Sequence, residues 1–148
     1  AMDQFQKIDS CGLADKYYDI CNQHPLRIGE SIEKMPFKEV LKAAEGKIDI
    51  QKLKGPGTCY EVQGLPESVF LRFIVQSRTT VETHFELSHV KKEYVASFAT
   101  MCFAAKEAAG KKQPNPPYPR PEAHTLSELI QVFTQLRDLA LEFNRSTK

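Results

Sequence analysis

Between Thr79 and Ser88 the chain alternates without a break: Thr79, Val81, Thr83, Phe85 and Leu87 suit a core, while Thr80, Glu82, His84, Glu86 and Ser88 suit water. Successive side chains of a strand point to opposite faces, so a run of period two this long admits a half-buried β-strand and excludes a helix. It also fixes which residues face out. Upstream, Ser68–Gln76 is the most hydrophobic segment of this region. Its odd positions Val69, Leu71, Phe73 and Val75 match the core face of 79–88, and Phe70 and Ile74 flank Arg72 on the other. A strand apolar on both sides sits centrally in a sheet or is partly covered. A polar turn at 76–79 joins the two as an antiparallel hairpin. Cys59–Gln63, ahead of Gly64-Leu65-Pro66-Glu67, supplies a third strand, and the alternating segment Lys47–Gln51 is a candidate fourth.

Helices bracket these strands. Leu13, Tyr17, Ile20 and Cys21 have helical spacing within Ser10–Asn22, and Gln23-His24-Pro25 stops them. A short helix follows Pro36, with Phe37, Val40, Leu41 and Ala44 as its stripe and Gly46 as its stop. Ser88 is placed to cap a long helix over 89–109, burying Val90, Tyr94, Phe98, Met101, Cys102 and Ala105 and ending at Gly110. Residues 111–121 hold five prolines and must run extended, because each ring fixes φ and disfavours helix in the residue before it. The last helix opens on Thr125-Leu126-Ser127-Glu128, a capping box. Leu126, Leu129, Phe133, Leu136, Ala140 and Phe143 form its stripe, which Ile130, Val132 and Leu139 widen. The expected fold is therefore α+β: a three- or four-stranded antiparallel meander packed against two long C-terminal helices, with short N-terminal helices. All 148 residues are read as one domain, with 111–121 as an internal strap.

Charge narrows the function classes. Twenty basic against nineteen acidic residues give no global field that would draw the chain to nucleic acid or an anionic membrane. No run is long and apolar enough for a membrane span, and the start lacks the apolar centre of a signal peptide, so the expected location is the cytoplasm. Ala1 reads as a cloning remnant before Met2. Cys11, Cys21, Cys59 and Cys102 are too few and too dispersed for a disulfide framework and read as reduced thiols. There is no Gly-x-Ser-x-Gly elbow, phosphate-binding loop, dinucleotide fingerprint or His-Glu-x-x-His motif.

The outward row Glu82, His84 and Glu86 is the main candidate for chemistry. Alternate strand residues are about 6.6 Å apart, so long carboxylate side chains could converge on the imidazole and hold a divalent metal for hydrolysis. Arg72 on the neighbouring strand repels a cation, and a charged strand face also serves simply to discourage aggregation. A Cys59 nucleophile with His84 across the sheet is a weaker alternative, since free cysteine is mostly a small buried hydrophobe. His24 and His124 read as boundary residues beside Pro25 and Thr125, and His89 as a surface residue. Lys106, Lys111 and Lys112 suit a helix C-terminus, which favours cations without any ligand. Pro116-Pro117-Tyr118-Pro119 fits a groove-binding ligand less well than a packed strap with Tyr118 inserted.

The leading expectation is a non-enzymatic protein-binding domain without a cofactor, comparable in size and architecture to a bacterial immunity or antitoxin inhibitor that covers a toxin or effector. Its expected contact surface is Arg72, Glu82, His84 and Glu86, with Glu61 beside them. The alternatives are a metal-assisted hydrolase using Glu82, His84 and Glu86, and a homo-oligomeric adaptor in which the last helix pairs with its own copy.

Overall fold

The computed structural model describes residues 8–88 and 97–147. The alternating segments form one antiparallel sheet in the order β1 (Ile50–Lys52), β2 (Thr58–Val62), β3 (Val69–Gln76) and β4 (Thr80–Leu87). The candidate fourth strand is thus present as β1, at the far end of the segment that alternates. In the hairpin, Leu71 faces Phe85 and Phe73 faces Thr83, while Arg72 lies between His84 on β4 and Glu61 on β2. Register keeps every odd residue of β4 inward: Val81, Thr83, Phe85 and Leu87 are all buried.

Four helices are described in full: α1 (Leu13–Gln23), α2 (Phe37–Ala44), α3 (Phe98–Ala108) and α4 (Leu126–Ser146). The stripe of α4 is buried from Leu129 to Phe143, with Ile130, Val132 and Leu139 included. Phe133 stacks on Phe73, centroids 4.3 Å apart, and meets Tyr60 at 5.7 Å, so α4 locks onto the centre of the sheet. Such ring pairs add about 0.5–1.5 kcal/mol beyond the area they bury. Against β4 lies α3, with Phe98 5.0 Å from Phe85. The Phe98 amide donates to Thr83 Oγ1 at 3.0 Å, which accounts for a hydroxyl on the core face of the strand. Tyr17 carries the core on to α1 through Phe98, and one continuous cluster of buried side chains runs from Ile8 to Phe143.

Several expectations need correction. The described part of the third helix starts at Phe98, and its cap is Ser97, whose Oγ accepts from the Thr100 amide at 3.1 Å. At the end of β4 the Ser88 amide donates to Ser68 O at 2.9 Å. The expected earlier turns, with His89, Val90 and Tyr94, lie outside the described residues. Phe37 does not join the core but stays 42% exposed beneath the Lys52 ammonium, because α2 turns only Val40 and Ala44 fully inward. Lys106 does lie in the last turn of its helix, α3, and is buried there, paired with Asp15 of α1 at 2.6 Å. The strap 111–121 forms neither helix nor strand. Tyr118 stacks on Phe103 at 4.4 Å yet remains 41% exposed, so it lies on the surface and does not insert. Beyond the strap, the chain zips onto the start of β4: the Val81 amide donates to Pro121 O and the Ala123 amide to Thr79 O.

Candidate functional site

Helices α3 and α4 cover the odd face of the sheet, which leaves the even residues of β3 and β4 outward with Cys59 and Glu61 of β2. Antiparallel register sets Glu61, Arg72 and His84 in one row across three strands, with Phe70 and Glu86 paired on one side of it and Ile74 and Glu82 on the other. Arg72 Nε donates to Glu61 Oε2 at 3.2 Å, and its guanidinium lies 4.7 Å above the Phe70 ring. Phe70 in turn meets the His84 ring edge-on at 5.7 Å, and His84 Nε2 is 3.5 Å from Glu86 Oε2. Arg72, His84 and Glu86 keep about two-fifths of their side-chain surface in solvent. The result is a held cluster of one ring, one guanidinium and one imidazole, rimmed by carboxylates.

Glu82 does not belong to it. Its carboxylate pairs with Arg120 at the end of the strap and accepts from the Thr83 amide at 2.9 Å. The three residues of the expected metal row therefore do not converge, and among the described residues no group of three or more His, Cys, Asp or Glu side chains could hold a metal ion. Cys59 shares its cross-strand row with Ile74 and Glu82, so β3 separates it from His84 and they form no dyad. Burial also pushes the Cys59 thiol up, opposite to what activates a nucleophile. Burial likewise pushes Cys21 up to about 12 and Cys102 well above its ordinary range.

Sequence reasoning missed a buried polar centre at the start of α4. His24 is 3% exposed, with Nδ1 2.9 Å from Glu128 Oε2 and Nε2 2.7 Å from Gln135 Oε1. Arg27 donates from Nη2 to Glu128 Oε1 at 2.9 Å, and the His124 amide donates to the same oxygen at 2.8 Å. Half of the expected capping box is present, the Glu128 amide donating to Thr125 Oγ1 at 3.1 Å. The carboxylate, however, reaches one residue further back than the box prescribes, because Arg27 and His24 draw it there. Burial raises the Glu128 carboxyl, but Arg27, His24 and the His124 amide outweigh it and bring it down to about 2. The only sequence signal was Glu128 itself, since its side-chain partners His24 and Arg27 lie about a hundred residues away.

Among the described residues, two of the open surface clefts are sizeable. One, about 950 Å³, runs beside β1 between the end of α2 and Arg137 of α4. The other, about 550 Å³, lies on the helix-covered side of the sheet, where Met35 and Pro36 face Tyr60, Val75 and Leu129. No helix among the described residues is long and apolar enough to cross a membrane. Comparison with family models, with curated proteins and with solved structures finds no match to this chain.

Proposed function

We propose that this chain is a protein-binding module that docks another folded protein on the outward face of its sheet. The observation that carries the reading is the preassembled Phe70–Arg72–His84 cluster on the face that, among the described residues, the helices leave uncovered. Protein interfaces concentrate binding energy in aromatic and arginine side chains ringed by polar groups. Here the ring and guanidinium already hold each other, so little ordering entropy is lost on docking. Glu61 and Glu86 form the charged rim that steers encounter and rejects wrong partners. Arg72, His84, Glu86 and Glu61 are the proposed contact residues; Glu82 serves the strap. An inhibitor of the immunity or antitoxin kind, acting in the cytoplasm with its four cysteines unbridged, is the form of this function we favour.

The metal-hydrolase alternative finds no converging donors, and the stripe a self-pairing helix would need is spent inside the chain. The test is co-purification from the native host with three proteins: wild type, Arg72→Glu, and Lys38→Glu on the distant exposed side of α2. A partner retained by wild type and Lys38→Glu but lost from Arg72→Glu, and whose own activity the chain suppresses, is the expected result. A partner held equally by all three removes the sheet face from the function.

A further inference from the structure

The hydrogen bonds around His24 define how many protons its ring carries. Only 4% of the side chain reaches solvent, and each ring nitrogen faces an oxygen, Nδ1 that of Glu128 at 2.9 Å and Nε2 that of Gln135 at 2.7 Å. Gln23 orients the Gln135 amide, whose Nε2 donates to Gln23 Oε1 at 2.8 Å. Carboxylate and amide oxygens only accept, so a ring set between two of them satisfies both only when each nitrogen bears a proton. A neutral ring would turn a lone pair toward one of them.

Charge balance points the same way. Glu128, 14% exposed, shares the Arg27 guanidinium with Glu30, and a charged His24 ring makes two cations against these two carboxylates. The second buried imidazole plays a different part. His124 Nε2 accepts from the Arg27 amide at 3.3 Å, which leaves its single proton on Nδ1, 3.5 Å from Glu128 Oε1. Two further carboxylates of the surrounding chain are engaged elsewhere. Glu122, whose amide donates to His24 O, accepts from the Thr79 and Thr80 hydroxyls, and Glu33, whose amide donates to His124 O, accepts from the Leu126 amide.

We propose that His24 is a buried imidazolium that latches the loop 24–33 onto α4, and that loss of its second proton releases the latch. Doubly protonated, the ring ties the loop to two turns of α4 at once, through Glu128 and Gln135. Once it is neutral, a nitrogen lone pair opposes an oxygen less than 3 Å away, and the loop gives way. The hold is therefore present on the acid side and lost as pH rises through the ring's proton loss. What it positions is an apolar pair, Leu26 and Ile28, 55% and 95% exposed.

The test is NMR of the whole isotope-labelled chain from about pH 5 to about pH 9, the range that brackets imidazole titration. Two ring N–H resonances are expected for His24 at the acid end, one on each nitrogen, and one at the alkaline end. Across that change, hydrogen-exchange protection of the Arg27 and Glu33 amides, corrected for intrinsic rate, should fall about ten-fold or more, as for the loss of one charge-assisted hydrogen bond. Leu71 and Phe73, in the centre of the sheet, should keep theirs. His24→Gln should abolish the pH dependence of loop protection. Gln135→Met, which deletes one acceptor at a partly exposed position, should move the second proton loss to lower pH and serves even where His24→Gln fails to fold. Three results would overturn the proposal. One is a single ring proton at every pH, which would mean that the Gln23 and Gln135 amides are reversed and donate toward the ring. Another is loop protection unchanged when the ring loses its proton. The third is a pH dependence that persists in His24→Gln, which would assign it to His124.

Discussion

Glu128 shows how far one residue's role departs from its local motif. Its spacing from Thr125 was legible as a helix start, but His24 and Arg27 come from the loop after α1, and only the folded chain sets them against its two oxygens. No periodicity encodes such a pairing, because His24 carries no pattern beyond preceding Pro25. The outward cluster was legible for the opposite reason: period two assigns faces, so Arg72 and His84 had to share one. What the pattern could not give was direction along that face, and Arg120 turns Glu82 away from His84. The Glu128 carboxyl has a consequence for pH. Its folded value, about 2, lies below the ordinary 4.5, so its stabilisation is complete above about 4.5 and is lost as pH falls through 2. The gap corresponds to at most about 3 kcal/mol. Urea unfolding of Glu128→Gln is expected to show a loss of about 2–3 kcal/mol at pH 7, since Arg27 and His24 lose their charged partner. The deficit should narrow toward pH 3. A deficit constant across that range would mean that the carboxylate charge is not what holds the cluster.

At the scale of elements, long uninterrupted patterns were readable and boundaries between competing signals were not. The alternation of 69–87 fixed two strands and their mutual register, and the wide stripe of 129–143 fixed the face of α4. The helix expected over 89–109 is interrupted at Ser97, although Val90, Tyr94 and Phe98 are spaced by four, as a helix requires, and both Ser88 and Ser97 are good caps. Spacing alone cannot choose between two caps nine residues apart. The backbone at Ser97 is extended and its hydroxyl holds the Thr100 amide, so the described helix opens there. Phe37 stays exposed for a related reason: an apolar residue at helical spacing buries only if something packs over it. Capping energies make the assignment of α4 measurable. Thr125→Ala removes the acceptor for the Glu128 amide and is expected to cost about 1 kcal/mol, seen as a lower urea midpoint at unchanged slope. A neutral result would transfer the whole work of starting α4 to Glu128 and Glu33, whose carboxylates take the neighbouring His124 and Leu126 amides.

For the molecule as a whole, α4 is the element through which the layers communicate. It packs on α1 and α2 as well as on β3 and β4, and its Phe133 sits between Phe73 and Tyr60. A chain of this size has roughly 5–15 kcal/mol of net stability, and truncating a buried phenylalanine removes about 3–5 of that. Phe133→Ala therefore takes a large share from a core that α1, α2 and the sheet all use. If the buried cluster acts as one domain core, far-UV circular dichroism, which reports helix and strand, and the near-UV tyrosine signal should melt together in wild type and in the variant. The variant should melt lower by roughly 10 °C or more. Arg72→Glu, on the face the helices leave uncovered, should shift the same curves by no more than about 1 kcal/mol, since it removes one exposed ion pair and one ring contact. Two separated transitions in wild type would divide the chain into independent units. In that case the N-terminal helices would be a layer attached to the sheet and α4, outside their common core.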